Sequence, residues 1–206
     1  ANYTVKLLIN TPKGCKDSIS KTFSVYPNPA ATIFIDKNNQ CFKYHSVAFA
    51  DSSKIISGSL SSQWDLGDFT SSSQPFISHK YATDGRYAIR LISTSNFNCK
   101  DTTYDSVRIF TMPKVSYSVS QRNQCQRYNL FDFTETGQIS KGSYSVLWKF
   151  GNGDSSTLGV VNYHYPDTGI YLATLILTSD QGCKDTSTSA VQLYPMPVSS
   201  FTVNDS

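Results

Sequence analysis

Charge is scarce in this 206-residue chain: charged residues make up 16% of it, well under the usual quarter. The formal net charge is +3, with no long run of one sign. A nucleic-acid partner needs a concentrated basic face, so none is expected. Histidine occurs three times and tryptophan twice. No apolar run exceeds a few residues, so no segment is expected to span a membrane. Residues 1–20 lack the charged start and apolar core of a secretion signal, and any such signal is expected outside this segment. There is no nucleophile elbow, no phosphate-binding glycine loop and no His-x-x-x-His pair. Neither catalysis nor a cofactor is therefore expected. What fills the chain instead is Ser, Thr, Asn, Gln and aromatics, chiefly 13 Tyr and 12 Phe. That polar, Tyr-rich composition suits a secreted β protein.

A repeat of 84 residues organises the chain. Cys-Lys-Asp begins at Cys15, Cys99 and Cys183, and Asn-Gln-Cys ends at Cys41 and Cys125. Trp64 matches Trp148, Tyr81 matches Tyr165, Gly85 matches Gly169 and Tyr87 matches Tyr171. Pro29, Pro113 and Pro197 close the register without insertion or deletion. The units are placed at 28–111 and 112–195. Residues 1–27 then read as the C-terminal part of a preceding repeat and 196–206 as the start of the next. A two-stranded remnant is marginal in water, so a protein longer at both ends is expected.

Each unit reads as short strands and turns. Thr32–Ile35, Val47–Phe49, Gln63–Leu66, Phe76–Tyr81, Tyr87–Ile92 and Ser106–Phe110 carry branched and aromatic residues, at period two in the strongest of them. No segment has a convincing helical period. The fold class is all-β: tandem immunoglobulin-like sandwiches of about seven strands each. The short linker at Thr111-Met112-Pro113 predicts restricted motion between units.

Trp64-Asp65-Leu66-Gly67-Asp68 resembles the Trp-Asp-Phe-Gly-Asp-Gly signature of PKD (polycystic kidney disease-type) domains, and Trp148-Lys149-Phe150-Gly151-Asn152-Gly153 is a looser version. Tyr81 through Gly85 to Tyr87, and their repeats, resemble that family's Tyr-x-x-x-Gly-x-Tyr segment. The cysteine-bearing variant is similar to repeats of very large surface adhesins of gliding bacteria, exported by type IX secretion. The resemblance implies a sandwich fold, secretion to the cell surface and a spacer or adhesive role. Two positions depart from the signature: Phe69 replaces its last Gly, and Lys149 its Asp. The Trp is expected to fill the space between sheets. The Gly is expected to make a tight turn, with Asp68 or Asn152 bonding its backbone. The alternative is a calcium site on Asp65 and Asp68, but calcium wants six to eight oxygens and Lys149 denies the second unit the same set. No metal is expected.

Five cysteines at repeating positions, without Cys-x-x-Cys spacing, read as disulfides from an oxidising compartment. Two pairings are open. One is internal to each unit, Cys41 with Cys99 and Cys125 with Cys183. In an immunoglobulin-like strand order, however, Cys41 and Cys99 lie at opposite ends of a unit, about 17–20 Å apart, and a disulfide needs Cα atoms within about 7 Å. The staggered pairing, Cys41 with Cys183, is preferred. It leaves Cys15, Cys99 and Cys125 to partners in adjoining repeats.

The remaining candidates concern the surface. His45, His79 and His164 have Asn129, Tyr163 and Lys80 as counterparts, so no histidine site repeats. Tyr81, Tyr87, Tyr165 and Tyr171 read as core or corner residues; Tyr44, Tyr104, Tyr128 and Tyr163 remain open as a sugar platform. Ser18, Thr102 and Ser106, each after an Asp, are similar to the O-glycosylation sites of those surface proteins. Asn2 and Asn204 begin Asn-x-Ser/Thr triplets. The expected function is a structural or adhesive stalk segment of a large surface protein. Its expected partners are neighbouring repeats, surface glycans or other cell-surface and secretion components. The alternative is a set of accessory modules on a secreted polysaccharide- or protein-degrading enzyme.

Overall fold

The computed structural model describes residues 1–202. It opens on a hairpin, β1 (Asn2–Asn10) and β2 (Lys16–Ser24). The first repeat follows as β3 (Ile33–Ile35), β4 (Asn39–Cys41), β5 (Val47–Asp51), β6 (Leu60–Asp65), β7 (Ser71–Ser72), β8 (Phe76–His79), β9 (Gly85–Ser95) and β10 (Lys100–Phe110). The second repeats the series as β11 (Tyr117–Val119), β12 (Asn123–Cys125), β13 (Phe131–Glu135), β14 (Tyr144–Lys149), β15 (Ser155–Ser156), β16 (Val160–Tyr163), β17 (Gly169–Ser179) and β18 (Lys184–Tyr194). The described residues contain no helix.

Each repeat folds into two sheets. In the first they run β3-β5-β8 and β4-β10-β9-β6-β7; in the second, β11-β13-β16 and β12-β18-β17-β14-β15. The period-two pattern of β9 explains its place. Ile89, Leu91, Ser93 and Ser95 are buried, while Arg90 and Ile92 stand on the other face. In the second repeat Ala173, Leu175 and Leu177 of β17 meet Phe131, Phe133, Trp148, Phe150 and Tyr165 in one buried cluster. Truncating one of these aromatics to Ala would cost about 3–5 kcal/mol, the lost transfer energy plus the cavity.

Two strands were not legible: β4 and β7, three and two residues long. Both are defined by their neighbours rather than by their own composition. Residues β12 shares with β18 pair in parallel, Cys125 opposite Tyr194.

The chain divides into two compact units. One comprises Ala1–Gln40 and His45–Arg108; the other comprises Cys41–Tyr44 and the chain from Ile109 onward. A four-residue piece of the first sequence repeat thus belongs to the second unit. The hairpin belongs to the first, where Tyr26 stacks on Phe97 at 4.1 Å between centroids. Its apolar residues Val5, Leu7 and Phe23 are exposed, whereas Ile89, Leu91 and Val107, 84 residues on, are fully buried.

Candidate functional site

The cysteines come first because they hold the chain covalently. Cys41, at the end of β4, is bonded to Cys183, just before β18, with Cα atoms 5.5 Å apart. That separation is ordinary for a disulfide. Both residues lie in the second compact unit. Cys183 is fully buried and donates its backbone N–H to Ser179 Oγ at 3.0 Å. Cys15, Cys99 and Cys125 are free thiols.

The internal pairing, Cys41 with Cys99 and Cys125 with Cys183, is therefore corrected. Strand geometry gives the reason. Cys125 sits beside Tyr194, at the far end of β18, while Cys183 precedes its first residue. Eleven residues of extended chain span roughly 36 Å at about 3.3 Å each. Phe42 donates its N–H to Phe110 O, which puts Cys41 at the same far end of β10 from Cys99. The ends are twice as far apart as the 17–20 Å expected, because β10 and β18 have 11 residues each.

An ion pair stands beside the bridge. Lys43 Nζ lies 2.9 Å from Asp185 Oδ1, and Asp185 Oδ2 accepts the N–H of Val115 at 3.2 Å. Partial burial pushes the Asp185 carboxyl up, but hydrogen bonds from Lys43 and Val115 outweigh it and hold it below the ordinary carboxylate value. The Lys43 ammonium is raised by its hydrogen bond to Asp185 and by that residue's charge. Asp101, 84 residues before Asp185, accepts the N–H of Ala31 in the same way at 2.8 Å.

The signature residues form a core anchor and a turn. Trp64 and Trp148 are buried, and their indoles donate to Gln74 O at 2.9 Å and Leu158 O at 3.1 Å. Gly67 (φ 80°) and Gly151 (φ 86°) are left-handed. A Cβ on Gly67 would stand 2.5 Å from Ala88 O, so the turn admits only glycine. Asp68 Oδ1 accepts the N–H of Thr70 at 3.1 Å, and Asn152 Oδ1 that of Asp154 at 3.3 Å. Asp65 accepts from Gly67 N–H at 3.1 Å and pairs with Arg90 at 3.3 Å. His79 bonds Asp68 Oδ2 at 2.7 Å. Burial raises the Asp68 carboxyl, but bonds from His79 and Thr70 pull it lower overall. Each of these four carboxylate oxygens thus already takes one bond from the protein. Among the described residues no group of three His, Cys, Asp or Glu is placed to hold a metal. Gly153 is left-handed at φ 105°, and Phe69, which replaces it in the first repeat, is left-handed too, at φ 67°. For a residue with a Cβ this costs about 1–2 kcal/mol.

The corner tyrosines lie where the sequence put them. Tyr81 and Tyr165 are buried and donate to Leu66 O at 3.1 Å and Phe150 O at 2.9 Å. Burial pushes both phenols far up. Tyr87 and Tyr171 stack on them at 3.8 and 4.0 Å. His45 is buried and accepts the Tyr81 N–H on Nε2 at 2.8 Å; Asn129 Oδ1 accepts that of Tyr165 at 2.9 Å. One acceptor at this place is thus supplied by two residue types. Tyr163 bonds Asp154 and Asn152, and His164 is exposed.

Tyr44 and Tyr128 are 90% and 85% exposed and left-handed, with Lys43 and Arg127 over their rings. Tyr104 is exposed on β10. Ser18 and Thr102 are exposed on β2 and β10, and Ser106 is half-buried, accepting from Arg86 at 3.2 Å. In all three motifs the Asp accepts the N–H of the following residue. Asn2 is exposed; Asn204 lies outside the described residues. No helix is long and apolar enough to cross a membrane among the described residues.

Sequence reasoning missed one half-buried network. Asp51 Oδ2 accepts from Ser62 at 2.6 Å and Ser93 at 3.4 Å, and its Oδ1 accepts the Ser53 N–H at 2.8 Å. Burial raises this carboxyl, yet the bonds from Ser53, Ser62 and Ser93 outweigh it and leave it low. Scattered serines carry no periodic signal by which the network could be found.

The PKD domain family matches the chain twice, over residues 27–109 and 111–193. Comparison with curated proteins gives no match. Among solved structures, the PKD1 domain of Vibrio anguillarum Epp is 25% identical, covering 40% of this chain and 93% of that one (TM-score 0.36). The PKD1 domain of the Vibrio cholerae metalloprotease PrtV is 28% identical, covering 42% and 99% (TM-score 0.33). The N-terminal eight immunoglobulin domains of Down Syndrome Cell Adhesion Molecule share the fold at 9% identity, covering 94% and 28% (TM-score 0.61). With two matches spanning most of its length, this chain belongs to the PKD domain family and carries two such domains in tandem.

Proposed function

We propose that this chain is a load-bearing structural and adhesive segment of a large cell-surface repeat protein, of the gliding or attachment adhesin kind exported by type IX secretion. The observation that carries the reading is the Cys41–Cys183 bridge. It ties cysteines 142 residues apart, one from each sequence repeat. Tension applied at the chain ends passes from Cys41 to Cys183 through the bond, so the strands between them bear no load. A disulfide also suits an oxidising, extracellular setting. Applied to every 84-residue step, the same stagger gives Cys15, Cys99 and Cys125 partners in adjoining repeats. The domains then read as 28–111 and 112–195, flanked by parts of neighbours.

Single-molecule pulling tests the reading. Oxidised protein should extend without releasing the stretch between the cysteines. Reduction should add about 500 Å of contour length, the reach of 142 residues at about 3.6 Å each. Equal extensions in both states would remove the load-bearing role.

A further inference from the structure

Phe69 departs from the family signature, and nothing in the fold uses its ring. The residue is left-handed at φ 67°, and its side chain is 107% exposed. A lone exposed apolar residue needs no explanation; Ile56, at 96%, is one, with an unstrained backbone. An aromatic held left-handed where glycine would sit free of strain does need one.

Its surroundings supply it. Beside the ring lies a depression of about 360 Å³ within the first unit, at the small end of ligand sites. Its floor is the outer face of β6 and β9, where Gln63 pairs with Ile92 and Asp65 with Arg90. Asp65 and Arg90 neutralise each other at 3.3 Å. Both side chains remain nearly half exposed, and the Gln63 amide makes no hydrogen bond among the described residues. The second repeat has none of this: Leu147, Lys149, Gly153 and Thr174 stand at the four positions.

We propose that Phe69 and this trough bind a neutral glycan. The ring packs on the C–H face of a gluco-configured pyranose, whose equatorial hydroxyls leave that face flat. Asp65, Arg90 and Gln63 bond the hydroxyls at its rim. The paired charges leave the trough with no net charge to draw an acidic sugar or a phosphate. The ring stands fully exposed, so no contact within the fold has to be broken when a sugar packs on it.

Calorimetric titration of the intact chain with cellohexaose, laminarihexaose and chitohexaose tests this. At least one should bind, and Phe69→Gly should weaken it tenfold or more. That variant keeps its fold because Gly153 already serves the second repeat, and circular dichroism checks it. Arg90→Thr, which copies the second repeat, should weaken binding several-fold, and Ile56→Ala should leave it unchanged. Binding of none of the three sugars, or equal binding by Phe69→Gly, overturns the proposal. Neither result bears on the bridge, since the pulling experiment needs no glycan.

Discussion

The two repeats solve the same inner corner differently. In the first, Asp51 is held by Ser53, Ser62 and Ser93, the last fully buried. In the second, Glu135 keeps the acid, but Gly137, Val146 and Leu177 replace the serines, and Leu177 is fully buried. The backbone donor of Ser53 persists as the Gly137 N–H, and the lost hydroxyls are replaced by that of Tyr144, which stands where the first repeat has Leu60 and donates to Glu135 at 3.1 Å. A Cβ on Gly137 would run into the Leu177 side chain. A serine at the Gly137 position would thus crowd the tip of Leu177, which couples the two positions. The comparison teaches that the half-buried carboxylate is the constant, while its donors and the volume around it trade places.

Crossing the two sets should break them unequally. Leu177→Ser opens a cavity at a fully buried site; it should cost the second repeat about 3–5 kcal/mol in urea unfolding, read at Trp148. Ser93→Leu crowds Ser53 and strips Asp51 of a donor; it should cost the first repeat about 2–3 kcal/mol, read at Trp64. Adding Ser53→Gly, the residue of the second repeat, should recover part of that. If the double variant is no better than Ser93→Leu alone, the coupling is wrong.

The smallest effect is the pH dependence. Asp51 is held below its ordinary value of 3.8. A depressed carboxylate stabilises the fold fully above its unfolded pKa and loses that contribution as pH falls through the folded one. Asp51→Asn should then cost about 1–2 kcal/mol near pH 7, and the difference from wild type should close as the pH drops well below 3.8. A gap that stays constant with pH would contradict the assignment.

The family, the 84-residue register, the core Trp and the corner Tyr were legible because rare residues repeated at fixed spacing. The bridge was legible as a preference because a sandwich separates Cys41 from Cys99. Its margin was underestimated, since the 11-residue length of β10 and β18 is not visible in their polar first halves. Strands β4 and β7 escaped notice because two or three residues carry no period. The strain at Phe69 was hidden because left-handed backbone is read from glycine, which the first repeat lacks there.

A non-reducing proteolytic digest with mass spectrometry tests the central claim most directly. The account predicts a linked peptide joining Cys41 to Cys183, with Cys99 and Cys125 alkylated as free thiols. A linked peptide joining Cys41 to Cys99, or Cys125 to Cys183, would contradict it.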